Sequence, residues 1–121
     1  MTNLTTLNLH INEITDIKPL QSLTNLTALG LGDNKIGDIK PLESLTKLEW
    51  LELQNTQISD IKPLESLTNL TTLILKNNKI SDIKPLQSLT NLMVFHLGRN
   101  PISPKICPVN PESTCDWVHW N

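Results

Sequence analysis

Apolar residues recur along this chain at fixed places in a frame of 22 residues, giving units 1–22, 23–44, 45–66, 67–88 and 89–110 and an 11-residue tail. In the first four units, positions 1, 4, 7, 9, 14, 17 and 20 are always apolar. In the second unit these are Leu23, Leu26, Leu29, Leu31, Ile36, Ile39 and Leu42. Positions 7 and 9 alternate with variable residues, the period of a strand that buries one face. Around position 17 the chain repeats Asp-Ile-Lys-Pro-Leu, as in Asp38 to Leu42. There the aspartate can cap a short turn and the proline fixes φ for it. Pro19, Pro41, Pro63 and Pro85 also forbid a second strand ladder on that side. Each unit is therefore predicted to be one short strand, a turn, a tight helical turn and a return. No unit can enclose its own apolar side chains, but stacked units can. Each buried aliphatic chain then contributes roughly 1.5–3 kcal/mol before entropy is counted.

A polar place repeats with the same period. Position 12 holds Asn12, Asn34, Asn78 and Asn100, with Thr56 in the third unit. An inward amide there can bond the backbone of its own and the next coil, which makes these residues a structural asparagine ladder. Thr56 has fewer donors, so its corner is expected to be less fully bonded. The competing reading is that the asparagines bind a ligand.

Composition narrows the function classes. The 121 residues fit one domain, and with aromatics at 3% the core must be aliphatic. Ten basic residues stand against twelve acidic ones, so nothing points to nucleic acid or an anionic membrane surface. No stretch approaches the roughly 18 apolar residues of a membrane span. Residues 1–20 do not read as a secretory signal.

The pattern LxxLxxLxLxxNxIxDIxPL resembles that of the leucine-rich repeat family. The repeat length and the Asp-Ile-x-Pro-Leu ending resemble its bacterial internalin-like subclass. The resemblance covers 1–110. It implies an α/β solenoid, a right-handed coil with a parallel β-sheet on the concave face and short 3₁₀ turns on the convex face. It also implies a binding role, usually for protein partners.

The fifth unit keeps Leu89, Leu92, Phe95, Leu97, Asn100 and Ile102 and then departs, so 1–102 reads as the solenoid and 103–121 as a C-terminal cap. Trp117, Val118 and Trp120 are expected to lie over the last leucines. Cys107 and Cys115 both fall in the cap. They read as a disulfide, as free thiols, or as metal ligands with His119 and Asp116, a spacing that matches no strong zinc pattern. A disulfide would place the chain in an extracellular or periplasmic setting. At the other end, Met1 sits at a framework place and no cap precedes it. The first coil would expose Leu4, Leu7, Leu9 and an unpaired strand edge. Either a capping segment is missing or the edge self-associates; a monomeric solution mass at high concentration would count against the latter.

Between the framework places, the strand residues that point outward vary. Position 6 holds Thr6, Ala28, Trp50, Thr72 and Val94; position 8 holds Asn8, Gly30, Glu52, Ile74 and His96; position 10 holds His10, Gly32, Gln54, Lys76 and Gly98. Trp50 is expected to stand exposed on the middle strand, beside a shallow space left by Ala28, Gly30 and Gly32. Ile74 and Val94 extend an apolar strip from it, and Glu52, Gln54, Lys76 and His96 form a polar margin. An aromatic anchor with such a surround suits the centre of a protein interface. The bland alternative is that Trp50 packs flat and binds nothing. The columns Lys18, Lys40, Lys62, Lys84 and Asp16, Asp38, Asp60, Asp82 do not vary and read as a solvated scaffold face.

No enzyme is expected. His10 and His96 lie four coils apart, Glu49 and Glu52 face different ways, and Gly30 and Gly32 open no phosphate loop. The expected function is therefore a non-catalytic module holding a protein or peptide on the concave face, without cofactor. The alternatives are a structural or surface-display segment of a longer bacterial protein and, by analogy alone, regulation of an intracellular enzyme.

Overall fold

The computed structural model describes residues 3–103, 106–108 and 115–116. Each unit forms one three-residue strand: β1 Thr6–Asn8, β2 Ala28–Gly30, β3 Trp50–Glu52, β4 Thr72–Ile74 and β5 Val94–His96. A two-residue strand, β6 Cys115–Asp116, follows in the tail. All are parallel and lie side by side in chain order. Partners are one unit apart in the first five strands, as in Thr6↔Ala28, Ala28↔Trp50, Trp50↔Thr72 and Thr72↔Val94. The repeat length is thus the length of one turn of the coil, and equivalent positions stack into columns.

Four 3₁₀ turns occupy the opposite side: Lys18–Ser22, Lys40–Ser44, Lys62–Ser66 and Lys84–Ser88. Each starts with proline in its first turn. The preceding aspartate accepts the lysine amide at the start of each turn, at 2.9 Å for Asp16–Lys18 and 3.0 Å for the other three. The invariant aspartates therefore act locally on the backbone. This architecture is the expected α/β solenoid, with the parallel sheet and the 3₁₀ turns on opposite sides.

The core between sheet and turns is nearly all leucine and isoleucine, from Ile17 to Ile102, with Phe95 and Cys115 at the C-terminal end. In the first coil Leu4, Leu7, Leu9, Ile14 and Leu20 are only partly buried. They are not left fully exposed, because the second coil covers one side of them.

Polar ladders tie the coils together. Asn34 donates to Leu31 O, Gly32 O and Leu9 O and accepts the Ile14 amide. Asn78 and Asn100 repeat this arrangement. The bonds reach the preceding coil rather than the next one, because the amide points back towards the coil already laid down. Asn12 has no described coil before it and bonds only its own Leu9 and His10 carbonyls. A serine ladder was not apparent from the sequence: Ser44, Ser66 and Ser88 donate to the carbonyls of Gln21, Glu43 and Glu65, all at 2.9 Å.

The Thr56 corner has its own solution. Elsewhere the amide at position 13 donates to the position-14 carbonyl of the preceding coil, as Lys35 does to Ile14 and Lys79 to Ile58. At Thr56 the link is different: Gly37 donates to the Thr56 carbonyl, and the Ile36 carbonyl instead accepts Asp38. Gly37 (φ 70°) and Gln57 (φ 64°) both enter the left-handed region to make this link. Glycine adopts that conformation freely, which accounts for the departure from Thr15, Ser59 and Ser81 at that place.

Position 11 is left-handed in every coil: Ile11 (φ 57°), Asp33 (φ 60°), Asn55 (φ 56°), Asn77 (φ 56°) and Arg99 (φ 58°). Asparagine and aspartate tolerate this region because the short side chain bonds locally. Here they also bond one another: Asn55 donates to Asp33 Oδ1 at 2.7 Å, and Asn77 donates to Asn55 Oδ1. Ile11 has no such compensation, and as a β-branched residue it is strained. Its side chain is also 78% exposed, so little packing offsets the strain. Ile11→Asn is expected to stabilise the chain by about 1 kcal/mol, read as a raised urea midpoint with an unchanged slope; an unchanged midpoint would refute the assignment of strain.

Candidate functional site

The outward face of the sheet, the concave face of the solenoid, carries the variable columns. β3 at its middle holds Trp50 and Glu52, and Trp50 is 47% exposed. The indole N–H donates to Glu52 Oε1 at 2.8 Å, which fixes the ring along its own strand. Thr72, its neighbour on β4, is buried rather than presented, since it lies in the same row between the larger Trp50 and Val94 side chains. Val94 on β5 is 41% exposed and Ile74 is half-buried. The apolar strip therefore consists of Trp50 and Val94 with Thr72 as its floor.

The expected shallow space over Ala28, Gly30 and Gly32 is occupied. A Cβ on Gly30 would lie 2.6 Å from His10 Nε2 and 3.2 Å from Asn8 Oδ1. A Cβ on Gly32 would lie 2.6 Å from the Gln54 amide. The glycines are thus seats for neighbouring side chains. Because Gly30 has no side chain, the His10 imidazole crosses β2 and reaches Glu52, with Nε2 3.0 Å from Oε2. Glu52 is consequently bonded at both oxygens, to Trp50 and to His10, with Gln54 Nε2 3.5 Å from Oε2. Gln54 Oε1 is buried without a hydrogen-bond partner. Glu52 and Gln54 form an organised cluster rather than a loose margin, while Lys76 and His96 lie half-buried on β4's exit and β5. Sequence reasoning missed His10 as part of this cluster; the signal was a glycine directly between His10 and Glu52 in the strand order.

Asn34 and Asn78 are buried, and their amides are used on the backbone. The convex side offers an open groove of about 550 Å³ among Asp38, Lys40, Glu43, Asp60, Lys62 and Glu65. Those side chains belong to the repeating scaffold, as the sequence pattern suggests. In the tail, Cys107 and Cys115 are joined in a disulfide, with Cα atoms 5.8 Å apart. The bond takes both sulfurs out of the free-thiol and metal readings. It also pins β6 beside β5, where Cys115 pairs with Phe95 and Asp116 with His96. Trp117, Val118, His119 and Trp120, assigned to the cap from sequence, lie outside the described residues.

The family model for leucine-rich repeats matches residues 2–44, 46–88 and 68–106, nearly the whole of the repeating region. The chain belongs to the leucine-rich repeat family. Among solved structures it is similar to internalin C2 from Listeria monocytogenes, with 44% identity and a TM-score of 0.89 over 98% of this chain and 52% of that one. It is similar to an internalin, inlF, from the same organism, with 38% identity and a TM-score of 0.88 over 99% of this chain and 36% of that one. These neighbours make it an internalin-like, bacterial type of leucine-rich repeat. The chain spans about half the length of internalin C2 and about a third of inlF. It is also similar to the leucine-rich repeat ectodomain of the Arabidopsis thaliana receptor kinase GASSHO1/SCHENGEN3, solved in complex with CASPARIAN STRIP INTEGRITY FACTOR 2. That likeness has 30% identity and a TM-score of 0.72, over 83% of this chain and 13% of that one. No curated protein sequence matches the chain at a significant level. Leucine-rich repeat proteins are generally protein-interaction modules and typically not enzymes.

Proposed function

We propose that this chain is a non-catalytic binding module that holds a protein or peptide on the concave sheet face, centred on Trp50. The observation that carries the reading is a half-exposed indole on the middle strand whose orientation is already fixed by Glu52. An anchor held in place before binding loses little conformational freedom when a partner arrives. Val94 extends the apolar surface, and the His10–Glu52 pair borders it on the other side. This is an apolar centre with a polar rim, the usual anatomy of a protein interface.

The Cys107–Cys115 disulfide supports an extracellular or periplasmic setting, because such bonds persist in oxidising compartments. A surface-display role within a longer bacterial protein is compatible with that setting, and binding through the concave face would serve it.

The test uses two charge substitutions on opposite sides of the solenoid. Ile74→Asp places a carboxylate next to the apolar strip and is expected to weaken a captured partner at least about tenfold, a loss typical of an interface centre. Lys62→Glu on the convex side is expected to leave the affinity unchanged. Equal losses from both, or a loss from Lys62→Glu alone, would move the binding surface away from the sheet.

A further inference from the structure

Charge is unevenly distributed along the stack. Residues 1–66 contain nine carboxylates and five lysines, whereas residues 67–103 contain one carboxylate, Asp82, and four cations, Lys76, Lys79, Lys84 and Arg99. Asp82 and Lys84 belong to the convex side, where the aspartate caps the 3₁₀ turn. Outside the convex turns, the fourth and fifth coils are left with Lys76, Lys79 and Arg99, and the one carboxylate next to them among the described residues is Asp116 on β6, opposite His96. Lys79 and Arg99 are exposed, in the loops that leave β4 and β5. The carboxylate of the middle coil, Glu52, is bonded by Trp50 and His10. The end that carries Val94 is therefore net cationic, whereas in the first three coils, with the convex Asp16, Asp38, Glu43, Asp60 and Glu65 set aside in the same way, Glu13, Asp33, Glu49 and Glu52 stand against Lys35 and Lys47.

We infer that the partner of this face is an acidic protein segment. It places an apolar residue on Trp50 and Val94 and turns its carboxylates towards Lys79 and Arg99. The inference rests on the concave-face reading and adds to it the chemistry and polarity of the partner. Strands about 4.8 Å apart put the third and fifth coils roughly 10 Å apart, the reach of about three extended residues. The apolar anchor and the acidic residues can thus sit within a few residues of each other on one strand. The potential also orients the encounter, since an acidic segment is drawn to the cations of the fourth and fifth coils and finds no such excess in the first three.

A random peptide library displayed on phage, selected on the full chain, tests this directly. Three targets are compared: the parent protein, Trp50→Ala, and the double variant Lys79→Glu with Arg99→Glu, each first shown to melt like the parent. The parent is expected to select net-acidic peptides with an aromatic or aliphatic residue close to Asp or Glu. A representative synthetic peptide should lose about tenfold or more in affinity on the double charge reversal. Its binding to the parent should also weaken as salt rises. Neutral or basic peptides that still depend on Trp50 would overturn the acidic assignment and leave the concave-face reading standing. Acidic peptides that bind Trp50→Ala as well as the parent would overturn the concave-face reading. No enrichment on the parent would count against both.

Discussion

Replacing Asn78 by alanine is expected to cost about 3–5 kcal/mol of stability, a large share of what a domain of this size possesses. The side chain is buried and makes a complete set of bonds. Its Oδ1 accepts the Thr56 amide, the Thr56 hydroxyl and the Ile58 amide, each at 3.0 Å. Its Nδ2 donates to the carbonyls of Leu53 and Leu75 at 2.9 Å and of Lys76 at 3.3 Å. Alanine leaves the two amides without this acceptor in a site closed to water, where each unsatisfied donor costs about 1–3 kcal/mol. The Thr56 hydroxyl still has the Leu53 carbonyl at 2.7 Å, so it adds little to the loss. Asn12→Ala is the internal control: it is exposed and bonds only its own coil, so its cost should stay below about 1 kcal/mol. Urea unfolding of the two variants decides the matter. Equal midpoint shifts would mean that the ladder contributes nothing beyond local turn formation.

The second large effect concerns binding. Trp50→Ala is expected to lower partner affinity by about 30-fold to several hundred-fold, the range of an aromatic hot spot worth about 2–4 kcal/mol. Stability should change by less than about 1 kcal/mol, because the ring is half-exposed and its one hydrogen bond is on the surface. The separation of the two effects matters more than either size. Truncating Leu51, the buried residue between Trp50 and Glu52, would damage both properties together. A variant that loses affinity with its melting midpoint intact therefore identifies a contact surface. An affinity within twofold of the parent would remove Trp50 from the interface.

Much of this molecule is legible in its sequence because the repeat length equals one turn of the coil. Once the units are aligned, Thr6, Ala28, Trp50, Thr72 and Val94 must stand in one row, and the strand register follows. The leucine positions give the core for the same reason. Interactions that skip a strand are not carried by the repeat. A glycine between His10 and Glu52 reads as an empty place, yet it is what lets the imidazole cross β2. The Thr56 departure was visible, but its coupling to Gly37 depends on backbone angles that no side-chain pattern encodes. The tail lacks a repeat altogether, so its cysteine pairing was one of three readings until the fold brought Cys107 and Cys115 together.

The claim on which the functional account depends is that a partner covers the sheet face at its middle strand. Oxidative footprinting of Trp50, with and without a bound partner, tests it most directly, with amine labelling of Lys62 on the convex side as reference. The account predicts that partner binding shields Trp50 and leaves Lys62 as reactive as before. A shielded Lys62 beside a Trp50 oxidised at its free rate would contradict it.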